Sequence, residues 1–212
     1  MDAMIRFSKS LFIAVLSLPL LLTPARAETV TILALGDSLT AGLGLDAPLA
    51  FPARLEAALR AKGHDVTVIN AGVSGDTAAQ GAARLDWSLT DEVDAVIVEL
   101  GANDVLRGLA PGQAEAALKQ IVDHLATKKL PVLLAGMRAP PNLGPDYAAA
   151  FDGMYQRLAT APEVILYPFF LDGVAAAAEL NQADGIHPNA KGVDVIVARM
   201  LPAAEALLRL AK

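Results

Sequence analysis

The sequence predicts an α/β protein, a three-layer α/β/α domain built on a five-stranded parallel sheet and occupying residues 28–212. Three observations carry that expectation. Strand-like apolar runs alternate with segments of helical period five times along the chain. The runs are continuously apolar, as strands covered on both faces require. No repeat or low-complexity linker divides the segment, and 212 residues suit one domain of ordinary size.

The elements follow in order. Thr29–Leu35 is a β-branched and leucine-rich strand that stops abruptly at Gly36-Asp37-Ser38. Phe51, Leu55 and Leu59 recur at helical spacing, and Gly63 ends that helix. Val66–Asn70 is a short strand running into Ala71-Gly72-Val73-Ser74-Gly75-Asp76-Thr77, where Asp76 or Thr77 caps a helix reaching Leu85. Ala95–Leu100 is the third strand, closed by Gly101-Ala102-Asn103-Asp104. A helix over about Ala114–Lys128 presents Leu118, Ile121, Val122 and Leu125 on one face. Val132–Gly136 is the fourth strand; a helix carrying Tyr147, Phe151, Met154 and Leu158 follows the rigid Pro140-Pro141-Asn142 loop. Val164–Leu166 is a short fifth strand. A polar segment then leads through Asp184-Gly185-Ile186-His187-Pro188 to a last helix ending at Leu210, kinked or restarted at Pro202.

Composition removes several classes of function. A formal charge of −6 with no basic run does not suit a nucleic-acid partner. The absence of cysteine excludes disulfides, a thiolate zinc site, a cysteine nucleophile and an acyl-linked lipoprotein anchor. Residues 1–27 read as a secretory signal peptide: Arg6 and Lys9 precede the uncharged run Leu11–Leu22, and Ala25-Arg26-Ala27 has the small-x-small pattern of a cleavage site. The alternative is an uncleaved anchoring helix, for which that run is short. Cleavage removes Asp2 and the bases Arg6, Lys9 and Arg26, taking the charge from −6 to −8. The expected mature protein is periplasmic or secreted, without stable membrane insertion.

Ligands of open parallel sheets sit at the carboxyl ends of the strands. Ser38, Gly72–Gly75 and Asn103 follow the first three strands, and Asp184-x-x-His187 lies in the last loop. A serine hydroxyl needs a base, and a neutral imidazole suits that role near pH 7. The imidazole needs a partner fixing its tautomer. Ser38, His187 and Asp184 fill these roles as nucleophile, base and orienting carboxylate. The backbone N–H groups of Ser38 and Gly75 and the Asn103 side-chain amide are the candidate donors to a tetrahedral oxyanion. Each piece alone has a plainer reading as a cap or turn; all four at one sheet edge favour catalysis. His64 and His124 are expected to be solvated, and Glu99 to be a hydrogen-bonded structural carboxylate. Leu106, Leu109, Met137, Pro140, Pro141 and Phe169 are candidates for an acyl pocket, though core packing explains them nearly as well.

Gly36-Asp37-Ser38-Leu39, Gly72 to Asp76, Gly101-Ala102-Asn103-Asp104 and Asp184-Gly185-Ile186-His187-Pro188 resemble the motif blocks of the GDSL, or SGNH, hydrolases. The resemblance extends over nearly all of residues 28–212. It implies a flavodoxin-like fold with strand order 2-1-3-4-5, the triad Ser38, Asp184 and His187, and an oxyanion hole of Ser38, Gly75 and Asn103. It also implies a monomer acting on a small-molecule acyl ester or thioester through an acyl-enzyme, with no cofactor and no metal. Ala102 departs from the pattern, which commonly has a second glycine there, and its methyl group is expected to restrict the loop beside Asn103. A small-ester deacetylase on the same site, a metal-dependent phosphoesterase and a non-catalytic binding module are the alternatives. The leucines of the loops around the site favour medium or longer acyl chains over acetate.

Overall fold

A computed structural model of the chain describes Met1 and residues 29–211. Apart from Met1, the signal peptide expected at 1–27 lies outside the described residues.

Five strands form one sheet: β1 (Val30–Gly36), β2 (Val66–Gly72), β3 (Ala95–Glu99), β4 (Val132–Ala135) and β5 (Val164–Tyr167). All pair in parallel, in the order β2-β1-β3-β4-β5. Every residue of β3 and β4 is buried, which is why these strands read as unbroken apolar runs. The chain leaves β1 in one direction to form β2 and returns past it to form β3. The crevice between the carboxyl ends of β1 and β3 is therefore the switch point where such sheets bind ligands. Gly36 and Glu99 are partners in the last pair of the β1–β3 ladder, at the floor of that crevice.

The helices are α1 (Ser38–Ala41), α2 (Phe51–Ala61), α3 (Ala78–Ala83), α4 (Leu85–Ser88), α5 (Ala102–Leu106), α6 (Pro111–Thr127), α7 (Pro145–Leu158) and α8 (Ala190–Leu210). α2 packs with α8, while α6 packs with both α3 and α7; right-handed crossovers place these groups on opposite faces of the sheet. Each long helix buries one stripe: Phe51, Leu55 and Leu59 in α2, Phe151, Met154 and Tyr155 in α7, and Ile196, Met200, Ala204 and Leu207 in α8. Phe51 meets Phe170 edge-on with ring centroids 5.0 Å apart. Tyr155, wholly inside, donates its hydroxyl to the Leu100 carbonyl at 2.9 Å and so ties α7 to the end of β3.

Two local expectations change. The helix foreseen from Thr77 to Leu85 divides into α3 and α4 at Arg84 (φ −109°, ψ 5°), whose guanidinium is drawn inward to Asp76 and the Gly36 carbonyl. Thr77 is the cap, in a reciprocal capping box with Gln80. The last helix does not restart at Pro202 but continues through it. Pro202 and Ala198 both lie on the solvent side, where the carbonyl that the missing N–H leaves free is open to water.

Candidate active site

Ser38 opens α1 directly after β1. Asp37 caps that short helix by accepting the Leu39 N–H on Oδ1 at 3.0 Å. The turn is tight: a Cβ on Gly36 would lie 2.0 Å from Thr40 Oγ1, and one on Gly72 would lie 2.2 Å from the Ala41 nitrogen. Glycine at both positions lets two strand ends and the Ser38 turn share one space.

The last loop brings His187 to this turn. His187 Nε2 lies 3.0 Å from Ser38 Oγ, and its Nδ1 lies 2.7 Å from Asp184 Oδ2. The other carboxylate oxygen of Asp184 accepts the N–H groups of Ile186 and His187, at 2.9 and 3.0 Å. Those bonds hold the Asp184 carboxyl down at about 2, the imidazole contact counting first and the two N–H groups after it. An ionised carboxylate only accepts, so Nδ1 carries the imidazole proton and Nε2 is left to accept from Ser38.

Side-chain amides fix the shape of this loop. Asn181 donates to the carbonyls of Val174 and Ala177 at 2.8 Å each. Gln182 bridges the carbonyls of Leu43 and Pro188 at 2.7 and 3.0 Å, joining the His187 loop to the segment after Ser38. Asn189 caps α8 through the N–H groups of Lys191 and Gly192.

The three expected oxyanion donors differ in state. Among the described residues, neither the Ser38 nor the Gly75 backbone N–H has an acceptor. Gly75 has φ 90°, and its carbonyl accepts from Arg107 at 2.6 Å. Asn103 Nδ2 instead has both hydrogens engaged, with Asp37 Oδ2 and the Asp76 carbonyl, each at 3.0 Å. Asp76 is held in turn by Arg84 at 2.6 Å, and Asp104 accepts the N–H of Ala78, the first residue of α3, at 2.8 Å. Ala102 begins α5 with ordinary helical backbone, so its methyl causes no strain. The left-handed residue is Gly101, at φ 116°, where a Cβ would lie 2.3 Å from the Tyr155 hydroxyl.

Two buried carboxyls lie beneath the turn. Burial raises the Asp37 carboxyl from 3.8 to about 6 despite its bonds to Leu39 and Asn103. Burial, and then the Asp37 charge, pushes Glu99 well above the ordinary range.

A cavity of about 490 Å³ opens beside Ser38, Asn103 and His187, within the range of small-molecule sites. Leu106, Met137, Pro140, Pro141 and Phe169 line it as expected; Leu106 is at the exposed mouth and Met137 is buried. Leu109 does not line it. Its N–H is bonded to the Asp104 carbonyl and its carbonyl to the Tyr147 hydroxyl, so it closes the turn between α5 and α6 instead. The sequence reading missed Ile186, Leu171 and Ala175, which also line the cavity, together with Val105, Arg138 and Ala139. An isoleucine isolated in the polar loop before His187 was the available signal. Arg138 lies over the Phe169 ring, 5.0 Å from its centroid. Of the other histidines, His64 is more engaged than expected, its Nε2 3.3 Å from Glu205, whereas Nε2 of His124 lies 2.7 Å from Asp86 without hydrogen-bond geometry.

The sequence profile described as the GDSL-like Lipase/Acylhydrolase family matches residues 34–195. The protein named Esterase TesA from Pseudomonas aeruginosa is 41% identical over 192 residues, covering 90% of this chain and 96% of that one. Thioesterase 1/protease 1/lysophospholipase L1 of Escherichia coli K12 is 43% identical over 170 residues, 80% of each chain. Among solved structures, AlinE4, titled a SGNH-hydrolase family esterase, is 48% identical with a TM-score of 0.72, covering 87% of this chain and 99% of that one. The crystal structure titled TesA is 40% identical with a TM-score of 0.79, covering 84% and 99%.

Proposed function

This chain belongs to the GDSL-like lipase/acylhydrolase family, and we propose from its geometry which residues carry out its hydrolysis of acyl esters and thioesters. The observation that carries the proposal is the contact from Asp184 through His187 to Ser38, at 2.7 and 3.0 Å. Ser38 Oγ attacks the acyl carbon while His187 Nε2 takes its proton. Asp184 remains ionised and stabilises the imidazolium. The tetrahedral oxyanion lies against the free N–H groups of Ser38 and Gly75. Asn103 joins them by exchanging one of its present acceptors, Asp37 or the Asp76 carbonyl, for the oxyanion. His187 then protonates the departing alkoxide or thiolate, leaving Ser38 acylated. Water, deprotonated by His187, attacks the acyl carbon, and the proton returns to Ser38 as the acid leaves.

The cavity wall of Leu106, Met137, Pro140 and Phe169 supports an apolar acyl group as the part of the substrate that is bound. A series of matched p-nitrophenyl esters and acyl thioesters tests this. kcat/KM should rise from acetate to medium-length chains in both series. A maximum at acetate would instead favour the small-ester deacetylase reading.

Export is the remaining part of the proposal. It rests on the leader-like composition of residues 1–27. Among the described residues no helix is long and apolar enough to cross a membrane. N-terminal sequencing of the protein recovered from outside the cytoplasm should begin near Glu28, and a start at Met1 would refute cleavage. The same material should elute as a monomer in size-exclusion chromatography, and elution at twice the monomer mass would overturn that expectation.

A further inference from the structure

Glu99 is a carboxyl side chain that the triad does not use, wholly buried at the end of β3. Its hydrogen-bond partners both come from the nucleophile turn. The Thr40 hydroxyl donates to Oε2 at 2.7 Å, and the Asp37 N–H approaches the same oxygen at 3.4 Å. Oε1 has no partner among the described residues. The contact is possible because Gly36, opposite Glu99 in the ladder, lacks the Cβ that would occupy the position of the Thr40 hydroxyl.

We propose that Glu99 is a positioning residue for the reaction, holding Thr40 and the Asp37 backbone from below so that Ser38 and Asn103 are presented at the switch point. The chain of contacts is continuous. Glu99 holds Asp37, which precedes α1, and Thr40 within it; Asp37 caps α1 at Leu39, and the second Asp37 oxygen holds the Asn103 amide. Ser38 lies between the two points that Glu99 grips. A buried carboxylate facing another carboxyl, with no cation to pair with, is strongly disfavoured. Glu99 is therefore protonated, Oε2 acting as the carbonyl-type acceptor of both donors and Oε1 carrying the proton. Titratable groups facing this turn are Asp37, Asp76 with its partner Arg84, Asp104, Tyr155, and His187 with Asp184.

The inference rests on Ser38 being the nucleophile, which Ser38→Ala tests separately. Three variants test Glu99 itself on one p-nitrophenyl ester. Glu99→Gln keeps a neutral acceptor in place and should hold kcat within about threefold of the parent. Glu99→Leu and Thr40→Val each remove the grip and should lower kcat by about ten- to a hundredfold with KM little changed. The acid limb of the Glu99→Gln pH profile should stay where it is in the parent, because a protonated Glu99 places no charge on Asp37 or His187. If Glu99→Leu does not fold, Thr40→Val, which keeps the side-chain shape, carries the test. The inference is overturned if Thr40→Val keeps kcat within twofold, if the loss is in KM alone, or if Glu99→Gln moves the acid limb to lower pH. An active Ser38→Ala would instead remove the mechanism on which it rests.

Discussion

Replacing Asp37 by asparagine should change the pH dependence of stability in a calculable way. Asp37 is fully buried yet accepts from Leu39 and Asn103. Burial wins over those bonds and lifts its carboxyl from 3.8 to about 6. Below about pH 4, Asp37 is protonated in both the folded and unfolded chain, and no penalty exists. Between about pH 4 and 6 the unfolded chain releases the proton while the folded chain keeps it, so stability falls as pH rises. Above about pH 6 the whole cost is present, about 3 kcal/mol for a displacement of this size. The side chain introduced by Asp37→Asn is uncharged throughout; it also offers an amide where Asn103 now meets an acceptor, a cost that does not depend on pH. Urea unfolding of parent and Asp37→Asn at intervals from pH 4 to 7.5 isolates the effect, because carboxylates away from this turn contribute equally to both proteins. The variant should gain on the parent by about 3 kcal/mol across that range. A difference that is flat with pH, or that grows in favour of the parent, would refute the argument from burial.

Other expectations concern activity and packing directly. Asn103→Ala should reduce kcat by about 10²–10³ in steady-state assays, with the oxyanion left to two backbone donors; a loss confined to KM would place Asn103 outside the oxyanion site. Gly36→Ala forces a methyl against Thr40 and the Glu99 carbonyl and should cost about 1–3 kcal/mol in urea unfolding; an unchanged midpoint would contradict the packing described for the turn. Asp184 stays ionised down to about pH 2, so replacing it with asparagine should lower kcat at every pH from about 5 to 9, by up to about 10⁴. A loss seen only at low pH would show that its own titration, rather than its hold on His187, matters.

Much of this site was legible because its chemistry lies in short local patterns at strand ends. Ser38 follows an abrupt strand stop, and Asp184 reaches His187 from three residues away; the meeting of Ser38 and His187 across 149 positions was expected from the sheet-edge rule and the family resemblance. The strand order came from the family resemblance, and the observed sheet agrees with it. What escaped depends on directions in space. Leu109 looked like a pocket residue by position, but its backbone bonds to Asp104 and Tyr147 make it part of a turn. Gln182 reaches the Leu43 carbonyl across 139 positions, and a contact to a backbone oxygen leaves no residue-type signature. The inward role of Arg84 was equally hidden, since its partners are a carboxylate eight residues back and the carbonyl of Gly36. Glu99 was visible as an oddity in an apolar strand; only the register against Gly36 shows what it grips.

The most direct test of the central claim is covalent capture of the nucleophile. A fluorophosphonate ester should add one phosphonyl group to the protein, and peptide mapping should place it on Ser38. The Ser38→Ala variant should take up none and should lose hydrolysis of esters and thioesters together. Label on any other residue, or turnover surviving in Ser38→Ala, would contradict the account.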